Sequence, residues 1–448
     1  MALKDANENP WYILMTLHGE QPAQYVDWML ADRNRHLWNA WICQNMDKPE
    51  RAAMAKDIGV DHDETIWTDE IAKEAASLFE ARRGLNSELK MPSAADRIDL
   101  EEIEIRRPLS CQKFIFRDLS LSRSVLRQPA DFGDAVFLAP ASFNETVFDA
   151  DADFTGARFV EKAGFREARF KLRTFFNSVA FGPFTTFIGA RFLDQVYFTA
   201  ATFDRDVLFS RAHFAGAANF YQCRFGLPLG GTKSITFANA IFDGPVSFER
   251  AKFLQLLPVL ANTTLPPSTK LTAEPDHWPR PAGLLNFLTL KTMPKDQQDP
   301  AIVKASAAIL RHAMARQMLP EEEHFFFRRE MHAAARAEPF YKTAHIYLFE
   351  ALSNFGYSIM RPLGWLALLW GMGAWVYAAK AMMGWGTAAA YSLAATFSFL
   401  GFQRLYFGQG YIEKLPIWVQ VFGAAQTVLG FILLFFLGLG LRTRFRLK

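Results

Sequence analysis

The sequence predicts a mixed, multidomain chain: an N-terminal α-helical cap, a β-helical solenoid, and a C-terminal α-helical membrane domain with two spans and a re-entrant, pore-like helix. Three observations carry that prediction. Phenylalanine recurs every five or six residues from Phe132 to Phe253, two runs near the C-terminus are apolar and long enough to cross a bilayer, and a third apolar run between them is too short.

Phe occupies positions 132, 137, 143, 148, 154, 159, 165, 170, 176, 181, 187, 192, 198, 203, 209, 214, 220 and 225, then 237, 242, 248 and 253. The steps alternate five and six, so the unit is eleven residues, and a small or β-branched residue usually stands two places before each Phe. Eleven residues in three turns is also the hendecad of a right-handed coiled coil. On a helix, however, five steps at roughly 100° per residue place the second Phe of a unit about 140° from the first, and the two rows share no seam. Pro140, Pro183, Pro228 and Pro245 fall inside the array, where a continuous helix does not tolerate them.

In an extended chain residues i and i−2 face one side, which makes Phe137 with Ala135, Phe159 with Ala157, and Phe192 with Ala190 inward pairs. The residues between them are Asp, Arg, Glu, Lys, Ser and Gly, and these face out. Short strands joined by tight corners wind into a β-helix, whose narrow interior is filled by interlocking bulky and small side chains. Two units per coil stack Phe132 on Phe154, Phe176, Phe198 and Phe220, with Phe137, Phe159, Phe181, Phe203 and Phe225 completing the expected core. At about 4.8 Å per coil this is a rod of roughly five and a half coils, near ~26 Å long.

The octets ADFTGARF, AGFREARF and ANFYQCRF resemble the Phe-centred form of the pentapeptide-repeat proteins. That resemblance implies a right-handed, four-sided β-helix over residues 100–253. The family repeat is five residues, so the six-residue sides here are expected to bulge at a corner. Leu121 and Leu126 continue the ladder backward, and Gly230 and Gly231 mark an insertion at which one Phe is skipped. Some members of the family mimic a DNA duplex through an acidic surface. Residues 130–253 carry 13 acidic and 13 basic side chains, so a DNA-like field and a nucleic-acid role are not expected.

Ile417–Leu441 holds 25 residues without a charge, about 37 Å as a helix, against a hydrocarbon core of roughly 30 Å. Leu363–Ala379 reaches spanning length if Lys380 snorkels and the segment continues to Met383, and Trp365, Trp385 and Trp418 lie near the expected interfaces. Arg361 before the first span and the basic tail 442–448 (Arg442, Arg444, Arg446, Lys448) outweigh Lys380, Arg404 and Lys414 less Glu413 in the loop. The positive-inside rule then places both termini in the cytoplasm of a bacterial inner-membrane, multi-pass protein. MALKDANENP does not resemble a signal peptide, and Cys43, Cys111 and Cys223 are odd in number and scattered, as suits a reducing compartment.

Between the spans, residues 387–403 begin as TAAAYSLAATFSFLGF, of re-entrant length. Span, re-entrant helix, loop and span over residues 363–441 resemble a potassium-channel pore domain, which several pentapeptide-repeat proteins carry at the C-terminus. In that family the filter is Thr-Val-Gly-Tyr-Gly-Asp, whose carbonyls from four subunits replace an ion's hydration shell. The resemblance sets Phe399, Leu400, Gly401, Phe402, Gln403 and Arg404 against it, with Thr396 and Ser398 in the preceding helix. Phe399 replaces a hydroxyl, Gln403 a glycine and Arg404 an acid, which argues against potassium selectivity and for altered selectivity in a tetramer. The alternative is a non-conducting membrane anchor. Gly423, Ala424, Gly430 and Gly438 suit close helix packing in either case.

Residues 254–299 read as a Pro-rich linker (Pro258, Pro266, Pro267, Pro275, Pro279, Pro281, Pro294) with a closing coil at Leu284–Leu290. Residues 300–362 read as juxtamembrane helices, one beginning at Asp299-Pro300 and one at Pro320 with Glu321, Glu322 and Glu323 in its first turn. Residues 1–95 read as a helical domain: Ala23–Met46 with Trp28, Leu37, Trp38 and Trp41 as core, and a second helix near Thr68–Arg83, shielding an open solenoid end. Asp61, His62, Asp63 and Glu64 are read as a solvated turn in preference to a metal site, and His324, Glu330 and His332 as surface residues. No phosphate loop, nucleophile elbow or clustered ligand set is present, so no enzyme activity, metal or cofactor is expected. The expected partners are the lipid bilayer, further copies of the chain, and a cytosolic protein held by the solenoid.

Overall fold

A computed structural model describes residues 3–23, 26–84, 86, 88–226, 231–279 and 298–445. Gly230, Pro228, Pro281, Pro294, Arg446, Lys448 and the closing coil expected at 284–290 lie outside these residues. The chain divides into two compact units, Met1–Arg280 with Met293–Phe327, and Pro281–Thr292 with Arg328–Lys448.

In the first unit the Phe ladder forms four parallel sheets of eight, seven, eight and seven strands, about eight turns of β-solenoid. Strands pair in register, so that Phe116, Phe137, Phe159, Phe181, Phe203, Phe225 and Phe253 form one column. Each inward pair is buried as the alternation requires, Ala135 with Phe137 and Ala157 with Phe159 among them. The rings of Phe132, Phe154, Phe176, Phe198 and Phe220 stack 4.9–5.0 Å apart with planes within 15°. Neighbouring columns meet edge to face, as Phe154 does with Phe165 at 5.6 Å and 90°, so each ring offers its face along the rod and its edge across it.

The rod exceeds five and a half coils because the interior demands a buried side chain of suitable volume rather than an aromatic ring. Leu100, Ile105, Cys111 and Phe116 fill it before Phe132, and Leu260 and Leu265 after Phe253. Strands accordingly run from Ile98–Asp99 to Lys270–Leu271. The stack also passes through the insertion, with Phe209 on Phe237 at 4.9 Å.

The two steps turn their corners differently. The five-residue step, and not the six-residue one, contains the left-handed residue: Asp134 has φ 55°, and Ala135 N–H donates to Phe132 O at 3.1 Å. This is a type II-like turn with positive φ at its third position. The same position recurs as Glu145, Gly156, Glu167, Ser178 and Gly189. A shorter side must turn within four residues, whereas the longer one rounds its corner through an open bend.

Both ends of the rod are covered by side chains that complete its backbone hydrogen bonds. At the start, the strand Lys4–Asp5 adds to Ile103–Glu104, followed by helices α1 (Pro10–Met15), α2 (Trp28–Ile42), α3 (Lys48–Ile58) and α4 (Asp69–Arg83). Asn39 on α2 accepts from Ile115 N–H at 3.0 Å and donates to Lys113 O at 3.1 Å, while Trp38 Nε1 donates to Ile115 O at 2.8 Å. Leu37, Trp38 and Trp41 are buried, but Trp28 is 57% exposed because it is the first residue of α2, beyond the face that packs. His62–Thr65 forms a single 3₁₀ turn, with Glu64 bound by Arg35 at 2.9 and 3.2 Å.

At the other end, α5 (Pro300–Arg316) starts from an Asp299 cap that accepts from Ala301 N–H. It packs Leu310, Ala313 and Met314 into the solenoid core. Gln298 accepts from Leu257 N–H at 3.1 Å and donates to its carbonyl at 2.6 Å. Asn39 and Gln298 thus do at opposite ends what the next coil does everywhere else.

Helix α6 (Pro320–Ala337) leads into the second unit, which holds α7 (Phe340–Ser353), α8 (Met360–Lys380), α9 (Trp385–Thr396), α10 (Phe402–Phe407), α11 (Gln409–Glu413) and α12 (Ile417–Phe445). His324 and His332 are buried, contrary to the surface reading, because α6 turns its aromatic and histidine stripe inward. Burial pushes the His332 imidazole down to about 4, with Arg328 and Arg329 adding to the effect. It is therefore neutral at pH 7, and its 3.6 Å approach to Glu350 is not an ion pair. Helices α8 and α12 are long and apolar enough to cross a membrane, and only 33% and 22% of their apolar windows are buried within the chain.

Candidate functional site

Gln426 stands in the apolar α12 and is 2% exposed. An amide stripped of water needs all its hydrogen bonds made locally. Tyr377 OH, from α8, donates to Gln426 Oε1 at 3.0 Å. Gln426 Nε2 donates to Ser392 Oγ at 2.7 Å and Thr396 Oγ1 at 2.9 Å, both from α9, where residues four apart share a face. Ser392 Oγ donates in turn to Trp370 O at 2.8 Å, and Thr427 Oγ1 to Ala395 O at 2.7 Å. One carboxamide therefore ties α8, α9 and α12 together.

Close backbone approach makes this geometry available. A Cβ at Gly373 would collide with Ser392 Oγ and Gln426, and one at Gly430 would press on Thr396 O. Of the small residues read as packing positions, Gly423 and Gly430 are buried against α9 or its neighbours, whereas Ala424 is exposed and Gly438 meets nothing within 4 Å. A second polar link lies beside the first: Gln403 Nε2 donates to Tyr391 OH at 2.8 Å, and Ser398 Oγ donates to Gln403 Oε1 at 2.9 Å. Tyr391 also packs edge to face on Tyr377 at 4.9 Å.

The filter-like residues divide into two groups. Thr396 belongs to the buried cluster around Gln426, and Ser398 and Gln403 form the half-buried link beside it. Phe399, Leu400, Phe402 and Arg404 face outward, with Phe399 meeting Phe431 edge to face at 5.8 Å. The backbone here is helical: Ser398–Leu400 is a 3₁₀ turn, Gly401 has φ 80°, and α10 follows. The carbonyls of Ser398, Gly401 and Arg404 accept from Gly401, Leu405 and Gly408 N–H at 2.9, 3.0 and 3.0 Å. A filter requires such carbonyls to be turned toward an ion.

The sequence reading passed over Gln426, Tyr377, Tyr391 and Ser392. For Gln426 the signal is in the sequence, since a polar amide within an uncharged, span-length run is costly unless it finds a polar partner. The cluster consists of amides and hydroxyls, groups suited to binding helices together rather than to proton transfer.

Residues 121–169 match the family model for pentapeptide repeats (nine copies), the stretch whose rings and registers are described above. The matched stretch forms part of the β-helix, whose coils on either side continue its register. Comparison of the chain with curated proteins and with solved structures gives no match. The pentapeptide-repeat match ends well short of α8–α12, so the reading of the second unit rests on its own geometry.

Proposed function

We propose that the chain is a membrane-anchored pentapeptide-repeat scaffold, held in the bilayer by α8 and α12 and presenting the solenoid to a cytosolic protein. The observation that carries this reading is the outward apolar surface of α8 and α12 around a polar centre that satisfies itself. In lipid that surface is at home and in water it is not. Stacked-repeat solenoids in general offer extended surfaces for binding, which supports the role of this one. The basic flank of α12, with Arg442 and Arg444 in its last turn, supports cytoplasmic termini in a bacterial inner membrane.

A second reading keeps a pore. The order α8, short α9 and α12, with α9 bound to both long helices, supports a channel-like tetramer of altered selectivity. The helical backbone of 398–407 weighs against it. Planar-bilayer recording of the purified protein separates the two: no conductance under any ion gradient supports the scaffold, and a conductance whose selectivity changes on Arg404→Asp establishes the pore.

A further inference from the structure

We propose that the outer wall of the solenoid near its C-terminal end binds a small anion carrying a phosphoryl or carboxylate group. A cavity of about 730 Å³ opens there, lined by Gln222, Arg224, Arg250, Lys252, Glu274 and His277 among others. That volume suits a metabolite-sized ligand.

The floor is built from successive coils. Arg224 and Lys252 are register partners on adjacent strands, and like charges placed directly opposite repel. Arg250 reaches the same space from a left-handed corner at φ 55°, its guanidinium 5.9 Å from the Tyr221 ring. Arg224 forms no ion pair among the described residues. Lys252 is 3.7 Å from the Asp276 carboxylate, too long for a hydrogen bond.

The roof is fixed over this floor. His277 O accepts from Phe253 N–H at 2.8 Å, Trp278 stacks on Phe253 at 4.8 Å, and Trp278 Nε1 donates to Thr272 O at 2.7 Å. His277 is 7% exposed, and its Nδ1 has no hydrogen-bond partner. Three cations thus line one cavity with a single carboxylate, Glu274, while Asp276 stands 3.7 Å from both Lys252 Nζ and His277 Nε2 and the buried His277 Nδ1 is unpaired. An anion relieves the Arg224–Lys252 repulsion and supplies charge-assisted hydrogen bonds. Glu274, Asp276 and His277 also bring ligand atoms within 4.8 Å of one another. The Lys252 ammonium beside Asp276 opposes a metal cation there.

Calorimetric titration of the full chain in detergent with inorganic phosphate, a sugar phosphate and citrate tests the site and separates phosphoryl from carboxylate ligands. Saturable binding of at least one probe is expected, weakened about tenfold or more by Arg224→Gln and by Arg250→Gln, and unchanged by Arg191→Gln on a different sheet. Arg224→Gln without ligand should unfold no earlier than the parent, which separates lost binding from misfolding. The proposal is overturned if none of the three probes binds, if Arg224→Gln binds as the parent does, or if zinc chloride alone binds and His277→Ala abolishes it.

Discussion

Phe198 in the solenoid is fully buried between its copies in the coils above and below, whereas Val428, Phe431 and Phe435 on α12 are 60%, 59% and 62% exposed. The polar groups are arranged the opposite way. The solenoid keeps its charges outside and its backbone paired coil to coil, closing the ends with Asn39 and Gln298. The second unit puts Gln426, Ser392 and Thr396 at its centre and its apolar side chains outside. The contrast teaches that one unit generates its own dry interior by repetition, while the other leaves its apolar side chains outside and, in the proposed bilayer setting, depends on polar contacts to hold its helices together.

That comparison can be broken most severely at the ladder. Phe198→Ala should lower stability by about 3–5 kcal/mol in chemical denaturation, since neighbouring rings locked in register cannot collapse into the gap. Phe431→Ala on α12 should change stability in detergent by less than about 1 kcal/mol. A similar loss from both would erase the distinction. Next in size, Asn39→Leu should cost about 2–3 kcal/mol by leaving Ile115 N–H and Lys113 O buried and unpaired. Denaturation that begins at the N-terminal coils, read by hydrogen exchange, is the expected signature.

Asp131 sharpens the solenoid side. Burial raises its carboxyl to about 6 from an ordinary 3.8, with the Asp153 and Asp134 charges adding to the effect and the Gly133 N–H opposing it. A raised folded pKa means that the folded state favours the protonated acid. The contribution of this one group to stability is therefore greatest below about pH 4, declines as pH rises toward 6, and levels off above it. Asp131→Asn, which can still accept from Gly133 N–H, should stabilise at pH 7 by on the order of 2 kcal/mol and have no effect at pH 3.5. Melting curves at the two pH values check this.

The smallest effect is expected in the second unit. Gln426→Leu should lower thermal stability in detergent by about 1 kcal/mol, because helix–helix hydrogen bonds in membrane proteins are individually modest. No change would mean that apolar packing alone holds α8, α9 and α12 together.

The solenoid was legible because its constraint repeats: Phe and Ala at fixed steps report an interior that every coil must fill identically. Its ends were not, because Leu100, Cys111 and Leu260 meet the same volume requirement without the aromatic signature. Side-chain period does not reveal which step carries positive φ, and residues as unlike as Asp134, Glu145 and Gly156 occupy that position. α5 read as a juxtamembrane helix from its cap, yet its burial against the last coil depends on tertiary contact that periodicity alone does not encode. In the second unit the apolar lengths are plain, whereas the polar cluster joins Ser392 to Gln426 across 34 positions, a pairing that only tertiary packing creates. Gln426 becomes meaningful only once α9 is seen to bring Ser392 and Thr396 to it.

The most direct test of the division between a self-sufficient solenoid and a lipid-dependent second unit is alkaline carbonate extraction of membranes from cells expressing the full chain, followed by flotation. The chain is expected to remain with the floated membranes after the wash. Its release into the carbonate supernatant as folded protein would contradict membrane insertion of α8 and α12.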